Sequence, residues 1–215
     1  LAHRSFASGR NAFRPNRTEL EVAHELEHQI RLFGGTFCSF PPIVAVGPRA
    51  ALPHARPQHY RIEESPFVLI DWGARGAQYV SDLTRVLVTG TIPPKLERIY
   101  EVVLKAQLAA IAKIKPGVSG KEVDAAARTV IAKSGYGKYF GHGLGHGIGL
   151  QVHEGPRVAM DTDVTLRPGM VITVEPGIYL PGWGGVRLED DILVTRNGHE
   201  VLSSVPKAFA DSIVA

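Results

Sequence analysis

One pattern occurs twice in this chain and limits what it can fold into. Thr18-x-x-Glu21 is a capping box: the hydroxyl accepts an N–H three residues on, and the glutamate reaches back to the cap. Leu20, Ala23, Leu26, Ile30 and Phe33 follow at helical spacing and Gly34-Gly35 supply a stop, so 18–34 reads as a helix. Ser119-x-x-Glu122 opens the same kind of stretch, through Val123, Ala126, Ala127, Val130 and Ile131 to Gly135. The spacing from cap to glycine is the same in both, and each places Glu-Val after the cap. Two readings stand side by side. Either capped helices simply look alike, or the chain is an internal duplication whose two halves meet at a shared site.

A further helix is predicted over 94–114. Pro94 suits a first helical position, Leu96, Ile99, Val103, Ala106 and Ala110 form an apolar stripe, and Pro116-Gly117 end it. Between the helices, 67–70 reads as a buried strand with 79–88 as its return. Segments 170–174 and 192–194 form another pair around Gly182, Gly184 and Gly185. Helices segregated from hairpins indicate an α+β fold with an antiparallel sheet rather than a doubly wound parallel one.

At 215 residues there is material for one large domain or two small halves sharing a core. Hydrophobic residues make up 44% and charged residues 21%, an ordinary globular balance. No apolar run approaches the roughly 20 residues of a membrane span, and no signal-peptide pattern follows the first residue, Leu1. The expectation is a fragment, or a chain whose start is missing, with an absent N-terminal domain. The single cysteine, Cys38, has no partner for an internal disulfide, which points to a reducing cytoplasm. Lys and Arg are scattered, without the basic stripe and base-stacking aromatics of a nucleic-acid binder.

Carboxylates at the ends of apolar runs carry the chemistry. Asp71 closes Phe67-Val68-Leu69-Ile70, and a two-residue turn at Gly76-Ala77 would set it opposite Asp82. Opposed side chains share a face about 5 Å apart. Two bare carboxylates there repel, one takes up a proton, and a bound cation removes the conflict. The alternative is one turn aspartate and one surface charge. Glu175 closes Val171-Ile172-Thr173-Val174, and a second hairpin centred on Gly182 would bring it to Glu189, with Pro176-Gly177 as a candidate bulge. The alternative there is a salt bridge from Glu175 to Arg187. His142, His146 and His153 lie in a segment with glycine at every second position near its start, which argues for extended backbone in close approach to another element. Four carboxylates and an imidazole suit Mn²⁺, Co²⁺ or Zn²⁺. Two such ions about 3.5–4 Å apart turn a bridging water into hydroxide and polarise a carbonyl, the chemistry of amide hydrolysis without a protein nucleophile. A serine or cysteine mechanism lacks support: Cys38 has no identified base and no Gly-x-Ser-x-Gly elbow is present.

At these residues the chain resembles the pita-bread (M24) metallopeptidases: methionine aminopeptidase, aminopeptidase P and prolidase. The matching stretches are Val68-Leu69-Ile70-Asp71-Trp72-Gly73, Tyr79-Val80-Ser81-Asp82-Leu83-Thr84-Arg85, residues 142–153, Thr173-Val174-Glu175-Pro176-Gly177 and Val186-Arg187-Leu188-Glu189-Asp190-Asp191. Ala51-Leu52-Pro53-His54-Ala55 fits as well. The resemblance implies pseudo-twofold halves with a curved antiparallel sheet covered by helices, as one catalytic domain over 1–215. By motif, Asp71 would hold one metal, His146 and Glu175 the other, and Asp82 and Glu189 would bridge both. Glu175 would also take the proton of the attacking water. His54, His142 and His153 would be substrate-side histidines, and Arg187 matches an arginine of the proline-specific branch. The run from Pro181 to Asp190 resembles the Xaa-Pro branch, which implies short peptides with proline second, cleaved by an aminopeptidase P or a prolidase, with two divalent ions, Mn²⁺ first. Methionine aminopeptidase and a non-catalytic relative are the alternatives. A cytoplasmic homodimer is a family expectation, with no nucleic-acid or membrane partner.

Overall fold

The computed structural model describes residues 1–10 and 13–214. The first half runs α1 (Ala2–Gly9), α2 (Glu19–Leu32), β1 (Phe37–Cys38), β2 (Ile43–Val46), β3 (Phe67–Trp72), β4 (Ala74–Gly76), β5 (Tyr79–Val80) and β6 (Leu83–Val88). The second runs α3 (Pro94–Lys113), α4 (Gly120–Lys133), β7 (Gly145–Gly147), β8 (Glu154–Val158), β9 (Val171–Val174), β10 (Gly177–Leu180), β11 (Gly184–Arg187), β12 (Asp190–Val194) and β13 (His199–Val201). Each half thus contains two helices, a strand (β2 or β7) and a long hairpin (β3–β6 or β9–β12). The three-stranded sheet β2-β3-β6 is matched by β7-β9-β12 inside the five-stranded sheet β13-β12-β9-β7-β8.

Both predicted capping boxes form. Thr18 and Ser119 each accept the N–H of the glutamate three residues on, and each glutamate side chain accepts the N–H of its cap. α2 and α4 are both 14 residues long, and Gly34 and Gly135 after them take φ of +89° and +84°. α3 begins at Pro94, as its sequence indicates. The first helix, α1, was not anticipated. Its Phe6 stacks on Trp72 at 4.4 Å between ring centroids, and the Trp72 indole N–H donates to the Ala2 carbonyl over 3.1 Å.

Strand alternation divides the core. Val68, Ile70 and Trp72 of β3 pack with Val22, Leu26 and Ile30 of α2. Phe67 and Leu69 face the opposite way, into the core shared with α3, α4, β9 and β12. Each such fully buried aliphatic contributes roughly 1.5–3 kcal/mol. Asp71, two positions beyond Leu69, belongs to this inner face, so β3 aims a carboxylate at the seam between the halves. Among the described residues no helix is long and apolar enough to cross a membrane.

The first hairpin corrects the predicted register. Arg75 pairs with Val80 and Gly76 with Tyr79, so the turn is Ala77-Gln78, not Gly76-Ala77. Asp71 consequently faces Thr84 rather than Asp82. The reason lies at Gly73, where a Cβ would sit 1.9 Å from the Ser81 carbonyl; only glycine admits that approach. Ala77 and Gln78 take positive φ of 48° and 74° to close the turn. The slip is two residues on the return strand, which preserves the face, so Asp82 still follows Thr84's side of the sheet.

The second hairpin keeps the predicted register throughout. Gly177 pairs with Arg187 and Val174 with Asp190, which leaves Glu175 opposite Glu189 with no bulge at Pro176-Gly177.

Candidate metal centre and substrate cleft

The two hairpins and β7 converge at the seam. Asp82, His146 and Glu189 each offer a ligand atom within 4.8 Å of the others. His146 Nε2 lies 3.8 Å from Asp82 Oδ2 and 3.4 Å from Glu175 Oε1. The His146 ring is turned by its Nδ1, 3.0 Å from the Gly147 carbonyl, which assigns the proton to Nδ1 and leaves the Nε2 lone pair free for the carboxylates' side. The backbone beneath is extended, as the glycines indicate: a Cβ at Gly145 would meet the Thr173 carbonyl at 2.1 Å, and one at Gly147 the Gly155 carbonyl at 2.2 Å.

Asp71 sits differently. Its Oδ2 accepts from Arg187 Nη2 over 2.6 Å, so the arginine pairs with Asp71 and not with Glu175. Arg187 also donates from Nη1 to the Tyr179 hydroxyl (2.9 Å) and from Nε to Thr84 Oγ1 (3.0 Å). Thr84 in turn donates to Glu189 Oε2 over 2.5 Å. Thr84 and Tyr179 escaped the sequence reading, although alternation from Asp82 and from Glu175 puts each on the same face as its carboxylate. Behind the cluster, buried Arg85 donates to the Glu189 carbonyl (2.6 Å) and pairs with Asp190 (2.7 Å). The Asp82 N–H donates to Asp191 Oδ2 over 3.1 Å.

The electrostatics ask for a cation. Burial, then Glu189, Asp71 and Glu175, hold the Asp82 carboxyl well above its ordinary range. Burial, then Glu175 and Asp71, do the same to Glu189. Burial carries Glu175 up to about 8, against the pull of Arg187. Asp71 Oδ1 and Asp82 Oδ1 are buried without a hydrogen-bond partner among the described residues. Carboxylate oxygens without donors, beside a free imidazole nitrogen, fit a hard or borderline divalent ion. Asp82, His146 and Glu189 lie close enough together to hold such an ion, with Glu175 against His146 and Asp71 held by Arg187.

A stability prediction follows from the same shifts. A carboxyl whose folded pKa is raised stabilises the fold below its unfolded pKa and loses that contribution as pH rises through the folded one. Burial lowers His142 and His146 to about 4, from 6.5, so they oppose folding as pH falls from about 6.5 toward 4 and cease to matter well above 6.5. Between pH 6.5 and 8.5 the raised carboxyls outweigh the remaining titrations and set the sign of the slope. In a chelator, the melting temperature is expected to fall by about 4 °C or more across that interval, and saturating Mn²⁺ should cancel the fall. A flat or rising profile in chelator would refute the assignment.

The cluster floors a cleft of roughly 1230 Å³ lined by His54, His142, His153 and Arg157. His153 lies 4.2 Å from His146 between ring centroids. His142 is held on both nitrogens, Nδ1 at 2.7 Å from the Gly143 carbonyl and Nε2 at 2.8 Å from the Tyr179 hydroxyl. The structure therefore brings all three histidines to one cleft but engages His142 through Tyr179.

The sequence profile of metallopeptidase family M24 matches residues 1–196. The chain belongs to that family. M24 relatives extend the likeness. An Xaa-Pro dipeptidase of Pyrococcus horikoshii is 48% identical over 191 residues, 89% of this chain and 54% of that protein. The structure of an Xaa-Pro dipeptidase from Bacillus anthracis superposes with a TM-score of 0.94 at 48% identity, covering 96% of this chain and 58% of that one. An X-Pro aminopeptidase from Thermotoga maritima gives 0.94 at 40% identity, covering 96% and 59%. The pita-bread fold is thereby shown, and this M24 chain spans little more than half the length of the relatives it matches.

Proposed function

We propose that residues 1–215 act as the catalytic domain of an enzyme that hydrolyses the bond between an N-terminal residue and a following proline. One observation carries the reading: buried carboxylate oxygens without donors at the floor of a cleft rimmed by histidines, in a chain 48% identical to an Xaa-Pro dipeptidase. Asp71 would hold one ion, His146 and Glu175 the other, and Asp82 and Glu189 would bridge. Mn²⁺ suits this oxygen-rich set best, with Co²⁺ and Zn²⁺ as alternatives. When bound, the ions supply Lewis acidity toward water and toward the scissile carbonyl.

The chain's own groups do the rest. Glu175 would accept the proton of the attacking water at Oε, a role open to its carboxylate once bound cations keep it ionised. His54 and His153, on the open side of the cleft, orient the peptide and donate toward the carbonyl oxygen as charge develops there. His142 fixes the Tyr179 hydroxyl, and Arg187 holds Asp71 in place.

Release of alanine from Ala-Pro and Ala-Pro-Ala by Mn²⁺-loaded protein, abolished by chelator, is the expected result. The ratio of the two rates separates dipeptidase from aminopeptidase action. Cleavage of Met-Ala-Ala alone would overturn the reading in favour of methionine aminopeptidase. No cleavage of any of the three by protein carrying two ions would overturn it in favour of a binding protein.

A further inference from the structure

His54 reaches the cleft on a loop that joins β2 to β3, and its ring makes no hydrogen bond among the described residues. Its position therefore depends on the backbone that carries it. That backbone is tied to one side chain. Glu19, the first residue of α2, is wholly buried at 0% exposure, whereas Glu21 in the same turn is exposed and serves the capping box. Glu19 Oε1 accepts the Val46 N–H over 2.8 Å, at the loop's entry. Its Oε2 accepts the Gln58 N–H over 2.8 Å, four residues beyond His54.

Arg49, inside the loop, completes the brace. Its Nε donates to both Glu19 oxygens (2.9 and 3.1 Å), and its Nη2 crosses to the Arg56 carbonyl at 2.5 Å. The free N–H groups of the helix start join in, Glu19 to the Tyr60 carbonyl (2.9 Å) and Leu20 to the Gln58 carbonyl (3.2 Å). A carboxylate at this point is favoured by the helix dipole and by three charge-assisted donors. Among the described residues, no hydrogen bond of Glu19 or Arg49 reaches the metal cluster. Its reach is the span that runs from 46 to 58, with His54 inside it.

We propose that Glu19 is a positioning residue for His54: with Arg49 it forms a clasp that fixes the chain on both sides of the histidine and so sets where the imidazole meets the substrate. This rests on the Xaa-Pro hydrolase reading above. Glu19→Gln keeps the shape but turns an amide N–H₂ toward one of the donors, which loosens one side of that span. A misplacement on the order of 1 Å at a substrate-orienting group costs up to about a hundredfold.

The test is a double-mutant cycle with the metal-loaded full chain on Ala-Pro. Glu19→Gln is expected to lower kcat/KM by about tenfold or more in the wild-type background, with the bound-ion count unchanged. In the His54→Ala background the same change should cost less than about twofold, because its target is gone. Equal losses in both backgrounds, or none in either, would overturn the proposal. Should Glu19→Gln fail to fold, Arg49→Lys keeps the charge, loses the reach to Arg56, and must show the same dependence on His54. Should the wild-type chain cleave no Xaa-Pro peptide, the hydrolase reading fails by itself. The clasp is then read by amide hydrogen exchange: faster exchange at Val46 and Gln58, with β3 unchanged, supports it, and unaltered protection refutes it.

Discussion

Asp82→Asn is expected to bind fewer than two divalent ions per chain and to lose more than about a hundredfold in turnover, while the ion-free protein melts no lower than wild type. The two effects have opposite signs for one reason. Asp82 is 5% exposed, with Oδ1 unpartnered and Oδ2 turned toward His146. Without a cation it adds a buried charge to a group of carboxyls that already repel one another, and its pKa rises accordingly. Asparagine keeps the volume and removes the charge. The Asp82 N–H bond to Asp191 belongs to the backbone and survives the change. With cations, the lost charge is a lost anionic ligand. Elemental analysis, hydrolysis of Ala-Pro and melting in chelator measure the three quantities on one preparation. Full turnover with two ions bound would end the two-metal assignment. A large drop in chelator melting would make Asp82 a structural residue.

Much of this architecture was legible because its signals are local. A capping box and a 3.6-residue stripe lie within one helix, so α2, α3 and α4 could be placed from their own residues. The second hairpin was legible because its turn is centred on Gly182, whose φ of +78° only glycine takes readily. The first hairpin misled for the complementary reason. Its turn uses Ala77 and Gln78 at positive φ, and the glycine that decides the register, Gly73, acts by contact with Ser81. α1 depends on Trp72, some 70 positions away, and no window of sequence contains both. The candidate ligands stood out because a carboxylate closing an apolar strand is rare. Thr84, Tyr179 and Glu19 did not stand out. A hydroxyl on an inner face reads as ordinary packing, and an acid in a first helical turn reads as a solvated charge. Only the fold shows that Glu19 is buried and Glu21 is not.

Arg187→Met should do the most damage to the ion-free protein, and Arg187→Lys should separate the charge of this residue from its shape. Arg187 is 3% exposed and serves three partners at once: Asp71, the Tyr179 hydroxyl and Thr84. Burial alone would lower its pKa, but Tyr179, Asp71, Glu189 and Glu175 carry it well above the ordinary value, so it stays charged throughout. Methionine fills similar space and leaves Asp71 buried without its counter-charge, at a cost of about 3–5 kcal/mol. The melting temperature in chelator should fall accordingly. Saturating Mn²⁺ should recover much of that loss, because the ions replace the counter-charge. Lysine restores the charge but offers no planar fork, and one ammonium cannot hold all three partners in their present positions. Arg187→Lys should therefore melt close to wild type and yet lose about tenfold or more in kcat/KM, through the Thr84 bond to Glu189 and the Tyr179 bond to His142. Equal activity in the lysine variant would reduce Arg187 to a counter-ion for Asp71. A lysine variant as unstable as the methionine one would show that the hydrogen bonds, rather than the charge, hold the seam between the halves.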